Sequence, residues 1–272
     1  MQESISFDRI ATTYDKTRSF PPEIGQQIAT ALIHLGNIPE KGNVLEIGIG
    51  TGRIALPLLV NGVNVTGIDI SPQMIKHLYA KQEEERNALP KQEWGRLLVE
   101  LADMTALPFA SESFDAVVAV HVMHLVPQWH FALDEAQRVL RPTGAFLLGQ
   151  DGYPASTWRF QQRWREIMQE LGFDPAPIGA QGYKEVVNEL RERGLAVDES
   201  IVARWEIERT PRELLQQVAE RTRSTTWNIP EDLFAESLQQ LTQWAQQQFA
   251  DTLDVPERLE ATFKVARATR IV

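Results

Sequence analysis

The chain has 272 residues, 43% of them hydrophobic and 24% charged, a balance that fits a globular protein with a full core. Its net charge is −10 with no dense Lys/Arg cluster, which argues against nucleic acid as a main partner, and the absence of cysteine excludes disulfides, a thiol nucleophile and a Cys-held zinc. Met1-Gln2-Glu3-Ser4 lacks the basic and apolar regions of a signal peptide and no apolar run reaches the roughly 18 residues of a membrane span, so a cytoplasmic protein without a span is expected.

Phe7, Ile10, Ala11 and Tyr14 recur at helical spacing until Pro21-Pro22 breaks the run. Ile24, Ile28, Leu32 and Leu35 then share one face of a second helix. Tyr14 and Arg18 lie one helical turn apart and can share a face. Val44 to Ile47 reads as a buried strand, followed by glycines at alternate positions, Gly48, Gly50 and Gly52. Ile54, Ala55, Leu58 and Leu59 start the next helix. Glycine there lets the backbone take φ > 0 and lets a ligand lie against it, beside the unpaired N–H groups of a helix start.

Val63, Val65, Gly67, Ile68 and Asp69 predict a second strand ending in an acid, and Ser71-Pro72 a capped helix carrying Met74, Ile75, Leu78 and Tyr79. A carboxylate at Asp69 can accept two hydrogen bonds from a ribose diol. The charged run Lys81 to Arg86 reads as a solvated helix end. Leu97, Val99 and Leu101 form a third strand leading to Asp103 and Met104. Leu107-Pro108-Phe109 runs through Phe114-Asp115 into a fourth strand, Ala116 to Val120, with His121 and His124 just beyond it. Ligands of open α/β sheets bind at this C-terminal strand edge. Trp129 to Leu140 is helical, Arg141-Pro142-Thr143-Gly144 stops it, and Ala145 to Leu148 is a fifth strand.

From Asp151 the pattern changes. Phe160, Trp164, Ile167, Met168 and Leu171 mark a helix closed by Gly172, and a loop rich in Pro and Gly follows to Gly182. Val186, Val187 and Leu190 predict a helix, and Val197 to Ile207 a strand. Helices around Leu214, Leu215 and Val218 and around Phe234, Leu238, Leu241 and Ala245 come next. Leu259, Ala261, Phe263 and Val265 alternate as an end strand with one wetter face.

The ordered series resembles the class I S-adenosylmethionine (SAM)-dependent methyltransferases, specifically the broad group related to the ubiquinone/menaquinone biosynthesis methyltransferases. Its parts here are Glu46-x-Gly48-x-Gly50-x-Gly52, Asp69, Asp103, Leu107-Pro108-Phe109 with Phe114-Asp115, and Leu140-Arg141-Pro142, with Thr143 departing from the family's turn. The resemblance implies a Rossmann-like, doubly wound α/β fold. It would have a mostly parallel seven-stranded sheet with an antiparallel last strand and helical lid insertions. One domain is expected over 1–272, with the SAM-binding core at 40–150 and cap segments at 1–38, 151–182 and 208–250. It further implies that Glu46, Gly48, Gly50 and Gly52 hold the cofactor loop, Asp69 and Ile70 the ribose and adenine edge with Met74 beside them, and Asp103 and Met104 the adenine. The backbone of His121 would line the methionine part, with Tyr14 and Arg18 folding over SAM.

The expected activity is transfer of a methyl group from SAM to a small-molecule acceptor, with S-adenosylhomocysteine as product and no metal. Positioning can supply most of the acceleration, about 7–11 kcal/mol, so a base is needed only if the acceptor must lose a proton. His121 and His124 are the nearest candidates for one; a histidine at a strand or helix end ordinarily serves packing and local hydrogen bonds. Tyr153, Trp158 and Trp227 fall in the lid segments and are candidate walls of the acceptor pocket; Arg221 and Arg223 lie near Trp227. A catalytically silent SAM-binding module is the first alternative. A NAD(P)-dependent oxidoreductase is the second, disfavoured because Arg53 stands where its fingerprint needs a third glycine and no Tyr-x-x-x-Lys occurs.

Overall fold

The computed structural model describes residues 4–152 and 155–271, with the side chains of 155–158 outside that description. Helices α1 (Tyr14–Arg18) and α2 (Pro22–Leu35) precede β1 (Asn43–Ile47), α3 (Ala55–Val60), β2 (Asn64–Asp69), α4 (Pro72–Ala88) and β3 (Leu97–Leu101). Then come β4 (Phe114–Val120), α5 (Trp129–Val139), β5 (Leu140–Gly152), α6 (Ala155–Glu170) and α7 (Tyr183–Glu192). The chain continues through β6 (Leu195–Arg209), α8 (Pro211–Ala219), α9 (Glu231–Phe249) and β7 (Glu257–Arg270).

The seven strands form one sheet in the order β3-β2-β1-β4-β5-β7-β6, mixed, with the last strands antiparallel. β1 lies at the centre, parallel to β2 (Ile47 opposite Ile68) and to β4 (Ile47 opposite Ala119). Val44 to Ile47 are all buried, which is why this strand reads as continuously apolar apart from Glu46. Leu45 and Ile47 face a core shared with α5, α7 and the inward residues of β4 and β5. Val44 and Glu46, of the opposite parity, face the other side.

The chain divides into two compact units. The first takes in the chain up to Gln150, Ile178–Ala203 and the residues from Phe263 onward; the second is Asp151–Pro177 with Arg204–Thr262. The second has its own core of Phe160, Trp164, Ile167, Met168, Leu214, Phe234 and Leu241, with Phe160 stacked on Phe249 at 5.4 Å. Its α8 opens with a capping box, Thr210 accepting from the Glu213 amide and Glu213 reaching back to the Thr210 amide, with Pro211 at the first helical position. The expected cap segment 151–182 is therefore not one body. Its last residues belong to the first unit, where the Gly179 and Ala180 amides donate to His124 O and Met123 O, each at 3.2 Å.

Three local expectations change. Residues 7–14 do not form one helix: a 3-10 turn, Asp8–Ile10, is followed by the separate α1. Thr13 Oγ1 donates to Ile10 O at 3.2 Å, and the Asp8 carboxylate turns to Ser6 and Ser71, so local side-chain bonds displace the helical ladder. The last strand in sequence is not last in the sheet. β7 lies between β5 and β6 and is buried at Ala261, Phe263, Val265, Ala266 and Ala268, and β6 is an edge. That edge position leaves Ile201 exposed where alternation had placed it with Ala203 and Trp205.

The LPF…FD stretch is a fastening. Glu135 accepts from the Leu107 amide at 2.7 Å and pairs with Arg138, whose guanidinium donates to Phe109 O at 2.7 Å and Leu107 O at 3.1 Å. Asp115 accepts from the Asn43 amide at 2.8 Å and pairs with Arg141, joining the starts of β1 and β5. Between Phe114 and Ala116 the β5 partner jumps from Leu140 to Ala145, so the expected Arg141–Gly144 turn is a bulge inside β5.

Candidate functional site

At the C-terminal edge of β1, β2 and β4 the first unit carries a cleft lined by Gly48, Gly50, Ile68, Asp69, Ile70, Met74, Val120, His121, Val122, Leu125 and Val126. Ile5, Phe7 and Tyr14 complete its wall from the N-terminal segment.

The glycine loop that forms its floor takes left-handed backbone at all three glycines, φ +71° at Gly48, +54° at Gly50 and +81° at Gly52. Their surroundings differ. A Cβ on Gly48 would meet Val122 Cγ2 at 2.6 Å, and one on Gly52 would meet Leu78 Cδ1 at 2.2 Å. A Cβ on Gly50 would meet nothing nearer than Gly48 O at 4.0 Å. Gly52 is thus a packing glycine, whereas Gly50 leaves its open side to the cleft.

Asp69 stands at the end of β2. Its Oδ2 accepts from the Gly50 amide at 2.8 Å and its Oδ1 from the Ser71 amide at 2.9 Å. The carboxylate therefore fixes the glycine loop against the start of α4, where Ser71 accepts from the Met74 amide at 3.1 Å as N-cap. Two bonds leave lone pairs for further donors. Burial raises the Asp69 pKa from its ordinary value, opposed by the Ser71 and Gly50 amides.

Glu46 lies beneath the loop, 3% exposed, with Oε2 lacking a hydrogen-bond partner. Burial pushes its pKa well above the ordinary value, against the attraction of Arg53 and a bond from the Ala55 amide; the nearby Asp69 charge pushes it further up. A buried acid with an unused oxygen suits a cationic ligand, which would hold it ionised.

His121 ends β4 with φ +52°, an uncommon backbone for a non-glycine residue and of the kind found at ligand sites. His124 sits in the 3-10 turn Met123–Leu125 and does not line the cleft. Tyr14 lines it, edge-on to Phe7 at 5.8 Å. Arg18 does not: its carbonyl accepts from Arg53 Nη1 at 2.9 Å. Asp103 is exposed and closes its own turn, accepting from the Thr105 amide and hydroxyl, both at 2.8 Å, while Met104 packs in the core. Neither lines the cleft.

Tyr153 lies outside the described residues, as does the side chain of Trp158. Trp227, in the second unit, donates its indole N–H to Arg221 O at 2.7 Å. The Arg221 guanidinium lies 3.9 Å above the Phe234 ring and pairs with Glu231 at 2.8 Å, which leaves it a structural contact rather than a solvated cation.

Motif reading passed over Ile5, Phe7, Val122, Leu125 and Val126, which line the cleft, and Asp8 and Asp15, which hold the N-terminal segment onto it. The apolar residues of both segments read as packing, and the Asp8 and Asp15 partners lie more than 30 residues away, so no local pattern announces them.

A family model described as a methyltransferase domain matches residues 45–148, the stretch that holds the glycine loop, Asp69 and β4. Among curated relatives, an uncharacterized protein of Methanocaldococcus jannaschii is 30% identical over 191 residues, covering 69% of this chain and 80% of that one.

The chain belongs to the class I SAM-dependent methyltransferases.

A phosphatidylethanolamine N-methyltransferase of Cereibacter sphaeroides is 37% identical over 107 residues, 39% of this chain and 49% of that enzyme. The chain spans less than half the length of this and several other curated relatives it matches. The solved structure of the YcgJ protein from Bacillus subtilis shares the fold, with a TM-score of 0.57 at 17% identity over 90% of this chain and 98% of that one. Family membership implies use of SAM, and no described helix is long and apolar enough to cross a membrane.

Proposed function

We propose that the protein transfers a methyl group from SAM to a small-molecule acceptor by in-line displacement. The observation that carries this reading is the junction of Gly50 and Asp69. A glycine whose open side faces the cleft is tied by its own amide to an acid at the ribose position. Bound SAM would supply an electrophilic methyl on a sulfonium centre.

The remaining work falls to this chain's side chains. Asp69 would accept from the ribose hydroxyls on its remaining lone pairs. Ile70 and Met74 would give the adenine an apolar wall. Glu46 lies beneath the glycine loop and not in the cleft lining, so it would offset the cationic charge of the amino-acid end from below the loop. The Tyr14 and Phe7 rings and the Val122–Val126 turn would exclude water, which keeps the methyl from being lost to solvent. Proton removal is required only of an acceptor that carries a proton on the attacking atom. His121, which lines the cleft, would be the candidate to take it; His124 does not line the cleft. The relative that acts on phosphatidylethanolamine, by its name, favours a small-molecule acceptor here too.

The test is transfer of isotope-labelled methyl from SAM into a metabolite extract, read by mass spectrometry. A labelled product that needs both protein and SAM is expected. Tight binding of SAM with no labelled product from any extract would favour a silent module.

A further inference from the structure

The N-terminal segment crosses the cleft mouth as a strap with several fastenings. At its start the Ile5 amide donates to Leu125 O at 3.0 Å, on the turn after β4. Asp8 Oδ1 accepts from the Ser71 hydroxyl at 2.5 Å and the Gln73 amide at 3.1 Å, at the start of α4. At its far end Asp15 reaches the glycine loop. Its Oδ1 accepts from Thr51 Oγ1 at 2.6 Å, and its Oδ2 lies 2.9 Å from Lys81 Nζ on α4. Thr51 is 1% exposed and sits between Gly50 and Gly52.

Phe7, just ahead of the Asp8 fastening, and Tyr14, just ahead of the Asp15 fastening, both line the cleft. With the strap in this position the cavity is about 70 Å³, room for a few waters and not for a nucleoside. The other walls belong to the sheet edge, the glycine loop, α4 and the turn Val122–Val126. A cofactor larger than this cavity enters only when a wall moves, and the strap, held by side-chain bonds at Asp8 and Asp15, is the wall best suited to lift and return. Asp15 bonds by side chain to the glycine loop itself and adds an ion pair, so lifting it breaks a charged contact.

We propose that Asp15 is a positioning residue that latches the N-terminal strap to the glycine loop through Thr51 and Lys81 and so sets how long the cofactor stays bound. The proposal rests on the SAM reading of the cleft. It assigns no contact between Asp15 and the cofactor. Asp15 acts through the position of Tyr14, its neighbour in α1, and through the loop that carries Gly50.

The test measures S-adenosylhomocysteine dissociation from the full chain by stopped flow, together with hydrogen exchange of residues 7–18 in the ligand-free protein. Asp15→Ala should speed dissociation about tenfold to a hundredfold, as expected for losing a charge-assisted contact. It should also quicken exchange in 7–18 while β1 and β4 stay protected. Asp15→Asn keeps an acceptor for Thr51 and loses the charge pair. It should give a smaller acceleration and remove the rise of the wild-type rate with salt, and Lys81→Met should match it. A variant that unfolds is replaced by these two.

Equal dissociation rates, or exchange that rises throughout the sheet instead of in 7–18, would overturn the latch. The exchange readout needs no ligand. Failure of wild type to bind S-adenosylhomocysteine would sink the SAM reading and the proposal with it; binding with an unaltered strap would sink the proposal alone.

Discussion

Two glycines of the same loop should fail in opposite ways. At Gly50 an added Cβ has open space, so Gly50→Ala pays mainly for its left-handed backbone, about 1–2 kcal/mol of stability. The methyl occupies the side that faces the cleft, where a ligand must approach the backbone. At Gly52 the same backbone cost is joined by a Cβ 2.2 Å from Leu78 Cδ1 and 3.1 Å from Leu56 Cγ, both fully buried side chains. Overpacking of that kind adds about 1–3 kcal/mol, so Gly52→Ala should lose about 2–5 kcal/mol in total. Urea denaturation gives the stabilities and calorimetry with S-adenosylhomocysteine the affinities. Gly50→Ala should lose only that amount, about 1–2 kcal/mol of stability, and bind at least tenfold more weakly, roughly 1.4 kcal/mol. Gly52→Ala should be the less stable variant. Wild-type affinity in Gly50→Ala, or a greater stability loss there than in Gly52→Ala, would refute the division of the loop into a ligand-facing and a packing glycine.

Asp69→Ala should weaken S-adenosylhomocysteine binding by about 1.5–3 kcal/mol in calorimetry; it should also cost stability, because the Gly50 and Ser71 amides lose their acceptor. The raised pKa of Glu46 means that the folded state holds a proton that the unfolded state releases near the ordinary value of 4.5. Unfolding free energy should therefore fall as pH rises from about that value through the folded pKa, and Glu46→Gln should flatten the fall and stabilise the ligand-free protein at neutral pH while weakening cofactor binding. A pH series of urea melts in which the two proteins keep parallel curves would contradict this. Ser71→Ala should cost about 0.5–2 kcal/mol by urea denaturation, since its hydroxyl caps α4 and also holds Asp8.

The central strands and the loop between them were legible because their signals are local. Val44 to Ile47 is an apolar run buried on both faces, and the glycines mark the positions where the backbone turns left-handed. Ser71-Pro72 announced its cap, and Gly172, at φ +78°, closes α6 as expected. Less legible was anything decided by contacts distant in sequence. Asp15 pairs with Thr51 and Lys81, Asp8 with Ser71, and Asp115 with Asn43 and Arg141; none of these follows from periodicity. The place of β7 inside the sheet is likewise a matter of pairing, since an alternating strand reads the same at an edge or within. The order of the series points to Asp103 as an adenine contact, and its side chain accepts from Thr105 two residues on, a local bond that the order does not reveal. The resemblance implies a cofactor role for both Tyr14 and Arg18, and of the two Tyr14 lines the cleft.

The cleft at the β1–β2–β4 edge should be a SAM site. Titration calorimetry of the ligand-free protein with SAM, S-adenosylhomocysteine and NAD tests it most directly. One equivalent each of SAM and S-adenosylhomocysteine should bind, competing with each other, with NAD giving no heat and both affinities falling in Asp69→Ala. Binding of NAD without SAM, or SAM binding that ignores Asp69→Ala and Gly50→Ala alike, would contradict the claim.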